Sequence, residues 1–214
     1  NDPQAGVSGA AFFVSEEGHF VTAAHVLDPP AAGQFSLTVY GDQNSTVSLR
    51  FEVVERDDAH DLALCKIMDF AGFLKLGPKF KTDVLQITSE PPAVGQFVLV
   101  SGFPLGSWKP AVQMGMIAAT ETVSPSVAGV PAGTRPLLQI DVAGNKGNSG
   151  GPVVSLRTGK VVDVIIQFVP APIYVAEGVQ INVQLAQNSG IMVAAPADWI
   201  RALLEKHSVA KKKS

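Results

Sequence analysis

Residues Gly144 to Val154 read GNKGNSGGPVV, a run of glycine and polar residues that ends abruptly in an apolar one. A glycine-rich loop ordinarily just turns the chain, but this one presents a single serine, Ser149, between backbones that carry no side chains. A serine hydroxyl is a poor nucleophile near neutral pH. It becomes a good one only beside a base, with an acid to orient that base and donors for the oxyanion. The loop can supply the donors itself. Gly147 stands two residues before Ser149, so the backbone N–H groups of both can point into one small hole. Gly150 and Gly151 remove side chains that would crowd an incoming carbonyl. Pro152 then starts an apolar run, and proline there would interrupt any helix following the serine. The loop thus joins strands.

Outward from this loop the chain is mostly short β-like runs separated by Gly, Pro, Asn and Asp: AAFFV, HFVTAA, FSLTVY, TVSLRFEVV, LALCKI, VLQITS, QFVLVSG, PLLQID, GPVVSL and KVVDVIIQF. TVSLRFEVV alternates as a half-buried strand would, and SEEG and RTG make natural hairpin connections. One segment reads as a helix, Pro196 to His207. Proline opens it, Asp198 lies near its positive end, and Trp199, Ala202 and Leu203 share a face. Many strands and one terminal helix predict an all-β sandwich or barrel architecture. SEPPAVGQ, Ser89 to Gln96, looks like a connection between two halves of similar size, each long enough to close one small barrel.

The base beside Ser149 must be one of four histidines, His19, His25, His60 and His207. His25 ends the apolar run FVTAA, at a strand edge where an imidazole can face a cleft. Asp61 follows His60 at the head of LALCKI, where a carboxylate must be hydrogen-bonded to be tolerated. A histidine Nδ1–H would be such a partner.

Together VTAAHVL, HDLALCKI and GNSGGPVV resemble the three active-site segments of the trypsin-like, chymotrypsin-fold serine proteases, in the same chain order. LVSGFPLG, GMIAA and IMVAAPADWIRALLE look like the HtrA/Deg branch of that family. The resemblance covers most of residues 8 to 206. It implies an all-β fold of two six-stranded antiparallel β-barrels packed face to face, with a C-terminal α-helix. The divisions are then residues 1–90 with His25 and Asp61, 91–195 with Ser149 and the specificity pocket, the helix 196–207 and a basic tail 208–214. It also implies a peptide-bond hydrolase with Ser149 as nucleophile, His25 as base, Asp61 as orienting acid, and Gly147 and Ser149 N–H groups as the oxyanion hole. Asp57 and Asp58 are then solvated turn residues, and His19 and His60 lie in exposed turns.

In the family the residue six before the nucleophile lies at the pocket base. Here that is Ala143, with Ile166, Gln167 and Phe168 as the pocket strand. A small apolar base without a carboxylate implies cleavage after small or medium apolar residues rather than Lys or Arg. The stretch Val169 to Gly190 is long enough for an extra hairpin near the pocket. The sequence departs from the family in lacking an IVGG-like start, in lacking a PDZ-like segment after the helix, and in carrying alanine in GAAFF where glycine is usual, read as a packing change.

Two rival readings remain in view. GNSGG also fits the nucleophile elbow of α/β-hydrolases, with Ser149, Asp163 or Asp198, and His207 in that order. That fold alternates strands with helices, and the chain before Ser149 has almost no helical periodicity. The other rival is a latent or inactive protease-fold module that binds peptides without cleaving them.

Composition excludes other classes. With 46% hydrophobic and 16% charged residues the chain is globular, and a net charge of −3 without a basic stripe argues against nucleic acid. Polypeptide substrates and a homo-oligomer are the partners the resemblance allows. No apolar run is long enough for a membrane span. Cys65, the single cysteine, sits in LALCKI as a core residue. A metal site from His19, His25 and His60 lacks ligand spacing, and no cofactor is implied. Asn44 opens an NST glycosylation motif. Lys211, Lys212 and Lys213 read as a solvated tail. NDPQ without methionine reads as a trimmed start, and the family resemblance favours an exported or organellar compartment.

Overall fold

The structure is a computed structural model that describes residues 9–28, 35–80, 82–107, 109–120, 137–172 and 186–209. Its elements run β1 (Phe12–Phe13), β2 (His19–Ala23), β3 (Leu37–Tyr40), β4 (Thr46–Leu49), β5 (Phe51–Asp57), β6 (Leu62–Ile67), α1 (Phe70–Leu74), β7 (Phe97–Gly102), β8 (Ala111–Ala119), β9 (Leu138–Asp141), β10 (Pro152–Ser155), β11 (Val161–Pro172), β12 (Ala186–Pro196) and α2 (Ala197–Lys206).

Strands β7 to β12 close into one antiparallel barrel in the order β10-β11-β12-β9-β8-β7. Closure comes from β10 returning to β7, with Val153 opposite Val100. Alternation explains the interior. Val98 and Val100 of β7 point in with Ile117, Ile140, Val153, Ile165 and Met192, while Phe97 and Met114 face out. Removing each such side chain from water contributes about 1.5–3 kcal/mol.

The described residues of the N-terminal half show no second closure. Among the described residues that half forms a four-stranded sheet, β1-β2-β6-β5, and a separate hairpin, β3-β4. The expected second six-stranded barrel is therefore not realised by these residues. β1 is only two residues long, and β5 is an edge strand carrying Glu52, Glu55 and Arg56, charges that blunt further pairing. β2 and β6 are the inner strands, and their apolar runs are buried on both faces. Val21, Leu62 and Leu64 from these strands join Val161, Val164, Ile166, Val193 and Ala195 of the barrel in one core. That shared core locks sheet to barrel.

Three local expectations need correction. TVSLRFEVV is not one strand, since Arg50 separates β4 from β5. A short helix, α1, was not foreseen; Asp69 caps it by accepting the Gly72 N–H at 2.8 Å. In α2 the buried face is Ala197, Ile200, Leu203 and Leu204, while Ala202 is exposed. Pro196 stands just outside the helix as its N-cap. The hairpin expected within Val169 to Gly190 begins as the outer ends of β11 and β12, where Pro172 pairs with Ala186. Residues 173–185 lie outside the described residues, as do the terminal lysines and the NDPQ start. Among the described residues no helix is long and apolar enough to cross a membrane. Cys65 is fully buried, which pushes its thiol pKa up to about 12.

Asp163 is the anomaly of the barrel. It is 0% exposed, between Val153 and Pro196 on the neighbouring strands, and neither carboxyl oxygen has a hydrogen-bond partner among the described residues. Burial, and then the charge of Asp198, raises its pKa well above the ordinary carboxylate value. The fold thus holds a proton that the unfolded chain releases. Stability then falls as pH rises from the ordinary carboxylate pKa towards the folded one, by up to about 1.4 kcal/mol per pH unit. Asp163→Val is expected to raise Tm at about pH 8, with a smaller gain at about pH 5. Calorimetry at the two pH values checks this, and equal gains at both would contradict it.

Candidate active site

β2 runs directly into a 3₁₀ turn, Ala24–Leu27, which lifts His25 off the sheet edge with its side chain 40% exposed. Asp61 stands just before β6, the antiparallel neighbour of β2, and its carbonyl accepts the Ala24 N–H at 3.1 Å. Its φ of 53° lies in the left-handed region, a conformation that aspartate tolerates better than most residues. From there the carboxylate grips His25 twice. Oδ1 accepts the backbone N–H at 2.9 Å, and Oδ2 pairs with Nδ1 at 2.7 Å. An Nδ1–H donated to Asp61 leaves Nε2 as the lone-pair nitrogen of the neutral ring. The hydrogen bond from Asp61 raises the His25 pKa above its ordinary 6.5, against a smaller opposing effect of burial.

The other histidines are placed elsewhere. His19 is not in an exposed turn: it is 7% exposed on β2, with Nδ1 2.8 Å from the Ser15 hydroxyl, and burial lowers its pKa. His60 lies in the turn before β6, half-buried, with Nδ1 2.6 Å from Asp57 and its ring 4.2 Å from that of Trp199. Asp57 is thus a hydrogen-bond partner of His60 rather than a freely solvated residue, and Asp58 bonds Arg56 at 2.5 Å. His207 bonds Glu55 of β5. With His207 on Glu55 and Asp163 buried in the barrel, the serine–acid–histidine set of the α/β-hydrolase reading is not assembled. Among the described residues no three His, Cys, Asp or Glu side chains are grouped to hold a metal ion.

The loop 144–151 leaves the barrel and meets the N-terminal sheet at the end of β2. The Ala10 N–H donates to the Ser149 carbonyl at 2.7 Å, and the Thr22 hydroxyl donates to the Ala10 carbonyl at 2.7 Å. Gly150, with φ 82°, lies against the Ala10 carbonyl, Thr22 Oγ1 and the Ala23 N–H, where any Cβ would collide. Ala23 is two residues before His25, so these contacts set the serine loop beside the histidine turn. Ala10 and Thr22 were missed in the sequence. Ala10 acts through backbone atoms that every residue carries, so no side-chain pattern marks it.

Within the loop the amide accounting is uneven. Asn148, Gly150 and Gly151 donate their N–H groups to Asn145, Ile165 and Asn148 at 3.2, 2.7 and 2.9 Å. The N–H groups of Gly147 and Ser149 have no acceptor among the described residues, and neither has the Ser149 hydroxyl. Two unspent donors, at Gly147 and Ser149, thus lie in the loop whose Gly150 abuts Ala23, two residues before His25. Such a set can take a proton from a nucleophile and bind a developing oxyanion.

Ala143 is exposed just after β9, and its carbonyl accepts from Gln113 Nε2 at 2.8 Å. Ile166 is 3% exposed and belongs to the core shared with the N-terminal sheet, while Gln167 and Phe168 are half-buried. Met192, opposite Phe168, packs under Gly144 closely enough to exclude a Cβ there.

Comparisons with known proteins show the family and the fold. The profile of the trypsin-like peptidase domain matches residues 9–163. A probable periplasmic serine endoprotease, DegP-like, from Halomonas elongata is 33% identical over 157 residues, covering 73% of this chain and 28% of that protein. Mouse serine protease HTRA4 is 31% identical, covering 94% of this chain and 34% of its own length. The chain thus spans about a third of these curated relatives. Among solved structures, the active form of the Rv3671c protease of M. tuberculosis superposes with a TM-score of 0.65 at 24% identity, covering 96% of this chain and 76% of that one. The HtrA-type protease AlgW with a decapeptide superposes at 0.64 and 24% identity, covering 93% and 51%. At that identity the likeness concerns the fold.

His25 is expected to titrate above 6.5 in an NMR pH series, and Asp61→Asn is expected to move the midpoint down by removing the carboxylate. An unmoved midpoint would contradict the assigned cause.

Proposed function

This chain belongs to the trypsin-like peptidase family, and from that membership we propose that it is a serine endopeptidase working through Ser149, His25 and Asp61. The observation that carries the reading is the 2.7 Å His25–Asp61 pair standing beside a serine loop with two unspent N–H groups. Ser149 Oγ attacks the peptide carbonyl while His25 Nε2 takes its proton. Asp61 holds the imidazole and stabilises the imidazolium. The oxyanion is met by the N–H groups of Gly147 and Ser149, each donor worth about 10²–10³ in turnover. His25 then protonates the leaving amine, the acyl-enzyme forms, and water attacks with His25 again as base.

The pocket reading follows the same frame. Ala143 offers no carboxylate for Lys or Arg, and Met192 under Gly144 takes up space behind the loop. Cleavage is therefore proposed after small or medium apolar residues, with Gln167 and Phe168 lining the approach and Ile166 backing them from the core. Tetrapeptide substrates ending in Ala or Val are expected to be cleaved faster than those ending in Arg or Phe, and preference for Arg would overturn this assignment.

On this reading residues 1–90 form a partner barrel, with the β3–β4 hairpin completing the sheet of β1, β2, β6 and β5. Residues 91–195 form the serine barrel, and residues 196–207 the strap across both. DegP-like relatives named as periplasmic support export of this protein as well, with polypeptides as its substrates.

One observation favours the latent binding module instead: the Ser149 hydroxyl is not hydrogen-bonded to His25 at rest. A fluorophosphonate probe separates the two. The protein is expected to label at Ser149, and Ser149→Ala is expected to abolish labelling and lower turnover by about 10⁴–10⁶-fold. A folded wild type that does not label would favour the binding module.

A further inference from the structure

The two-point grip that Asp61 keeps on His25 is repeated just upstream in the chain. Asp57, the last residue of β5, accepts the His60 N–H on Oδ1 at 3.2 Å and pairs with His60 Nδ1 through Oδ2 at 2.6 Å. An indole covers this second imidazole: the ring of Trp199, on α2, lies 4.2 Å from it with planes at 46°. His60 is thus held at its N–H, at Nδ1 and on its ring, and it is the residue immediately before Asp61.

That position matters because the backbone of Asp61 is strained. Its φ of 53° is left-handed, a conformation that costs an L-residue energy. Relaxing to an ordinary φ would turn the 60–61 peptide relative to the 61–62 peptide and swing the carboxylate off the imidazole. Relaxation is blocked only where both peptides are fixed. The sheet fixes the far one: Leu62 is fully buried on β6, opposite Ala23 and Asp57, and the Asp61 carbonyl accepts the Ala24 N–H at 3.1 Å. No strand holds the near one, because residues 58–61 form the turn. There the Asp57 carbonyl shares the His60 N–H at 3.2 Å with Oδ1, while the Nδ1 bond and the indole hold the ring. Arg56 ties the same turn to the histidine segment, bonding Asp58 at 2.5 Å and Asp28 at 2.6 Å.

We propose that His60, held by Asp57 and covered by Trp199, is the positioning residue that keeps the Asp61 carboxylate seated on His25. This inference rests on the reading of His25 as base and Asp61 as orienting acid. His60 acts through the 60–61 peptide and not on substrate. Asp57 comes from β5 and Trp199 from the terminal helix, so a grip made between β2 and β6 is set by two elements that supply no group to it.

The test uses the full chain and reads His25 directly, by its NMR titration midpoint, alongside kinetics on a peptide ester. The hydrogen bond from Asp61 raises the His25 pKa. A loosened carboxylate therefore lowers the midpoint, and with it the acidic limb of kcat/KM, because the neutral ring is the base. His60→Ala is expected to lower both by about half a pH unit or more, towards the Asp61→Asn values. It is also expected to cut kcat by about tenfold with KM held within about twofold. Asp28 and Arg56, which act on His25 in opposite senses, stay in place. His60→Asn, whose amide nitrogen donates to Asp57 from near the position of Nδ1, is expected to restore most of the midpoint. If His60→Ala does not fold, His60→Phe, which keeps a ring on Trp199 and deletes the Nδ1 bond, carries the same expected downward shift. A folded variant with an unmoved His25 midpoint would overturn the proposal. So would a loss of kcat with a raised KM at an unmoved acidic limb, the mark of general loosening. A wild type that neither labels with fluorophosphonate nor turns over would instead sink the nucleophile reading, while the His25 midpoint would still report on His60.

Discussion

The two parts of the proposed site are carried on different sheets, and the loop of one reaches the strand of the other because Gly150 has no side chain. Its bare Cα lies flat against the Ala10 carbonyl, Thr22 Oγ1 and the Ala23 N–H, the last stretch of chain before His25. A methyl group there would push the serine loop off β2. Behind this contact the apolar core does the heavier work. Val21, Leu62 and Leu64 pack with Val164, Ile166 and Ala195, each side chain contributing about 1.5–3 kcal/mol. Burial of apolar surface is non-directional. The core presses the halves together, and the close backbone contact at Gly150 fixes where along β2 the loop sits.

The terminal helix reinforces the same joint from the opposite side. Ile200, Leu203 and Leu204 enter the shared core, while polar contacts from its middle and its C-terminal end reach back to other elements. Arg201 donates to the Thr88 carbonyl, and Lys206 and His207 both bond Glu55 on β5. Lys206, then His207, holds the Glu55 carboxyl below its ordinary pKa. Trp199 covers His60, the residue before Asp61. The helix thus presses on the strand and turn that deliver the orienting carboxylate, which links a segment remote in sequence to the geometry at His25.

Much of this was legible in the chain because it is carried by side chains in short local patterns. The apolar runs of β2, β6 and β10, the proline before α2 and the chain order of His25, Asp61 and Ser149 are all such patterns. What escaped depends on pairing between distant segments. Arg50 interrupts a run whose alternation continues on both sides, because β4 pairs with β3 and β5 pairs with β6. His19 looked exposed beside SEEG, yet the hairpin folds Ser15 onto its ring. At the candidate site, the Ala10 contribution is a backbone N–H group, identical in every residue but proline. Hydrophobic periodicity cannot register it.

Some of the molecule's unfavourable features lie around the same loop, and the amide accounting bears on them. A loop that keeps two N–H groups unspent cannot be stabilised through those groups, so its shape must be imposed by neighbours. The neighbours bear the cost. Asp61 and Leu105 occupy left-handed backbone at roughly 1–2 kcal/mol each. Asn148, next to Ser149 and 1% exposed, has neither side-chain oxygen nor nitrogen hydrogen-bonded among the described residues, a burial penalty of roughly 1–3 kcal/mol. Each of these residues contacts or adjoins a group of the proposed machinery: Asp61 bonds His25, Leu105 bonds the peptide before Gly147, and Asn148 precedes Ser149. Leu105 and Asn148 adjoin the closed barrel, whose Val and Ile interior can absorb such local losses.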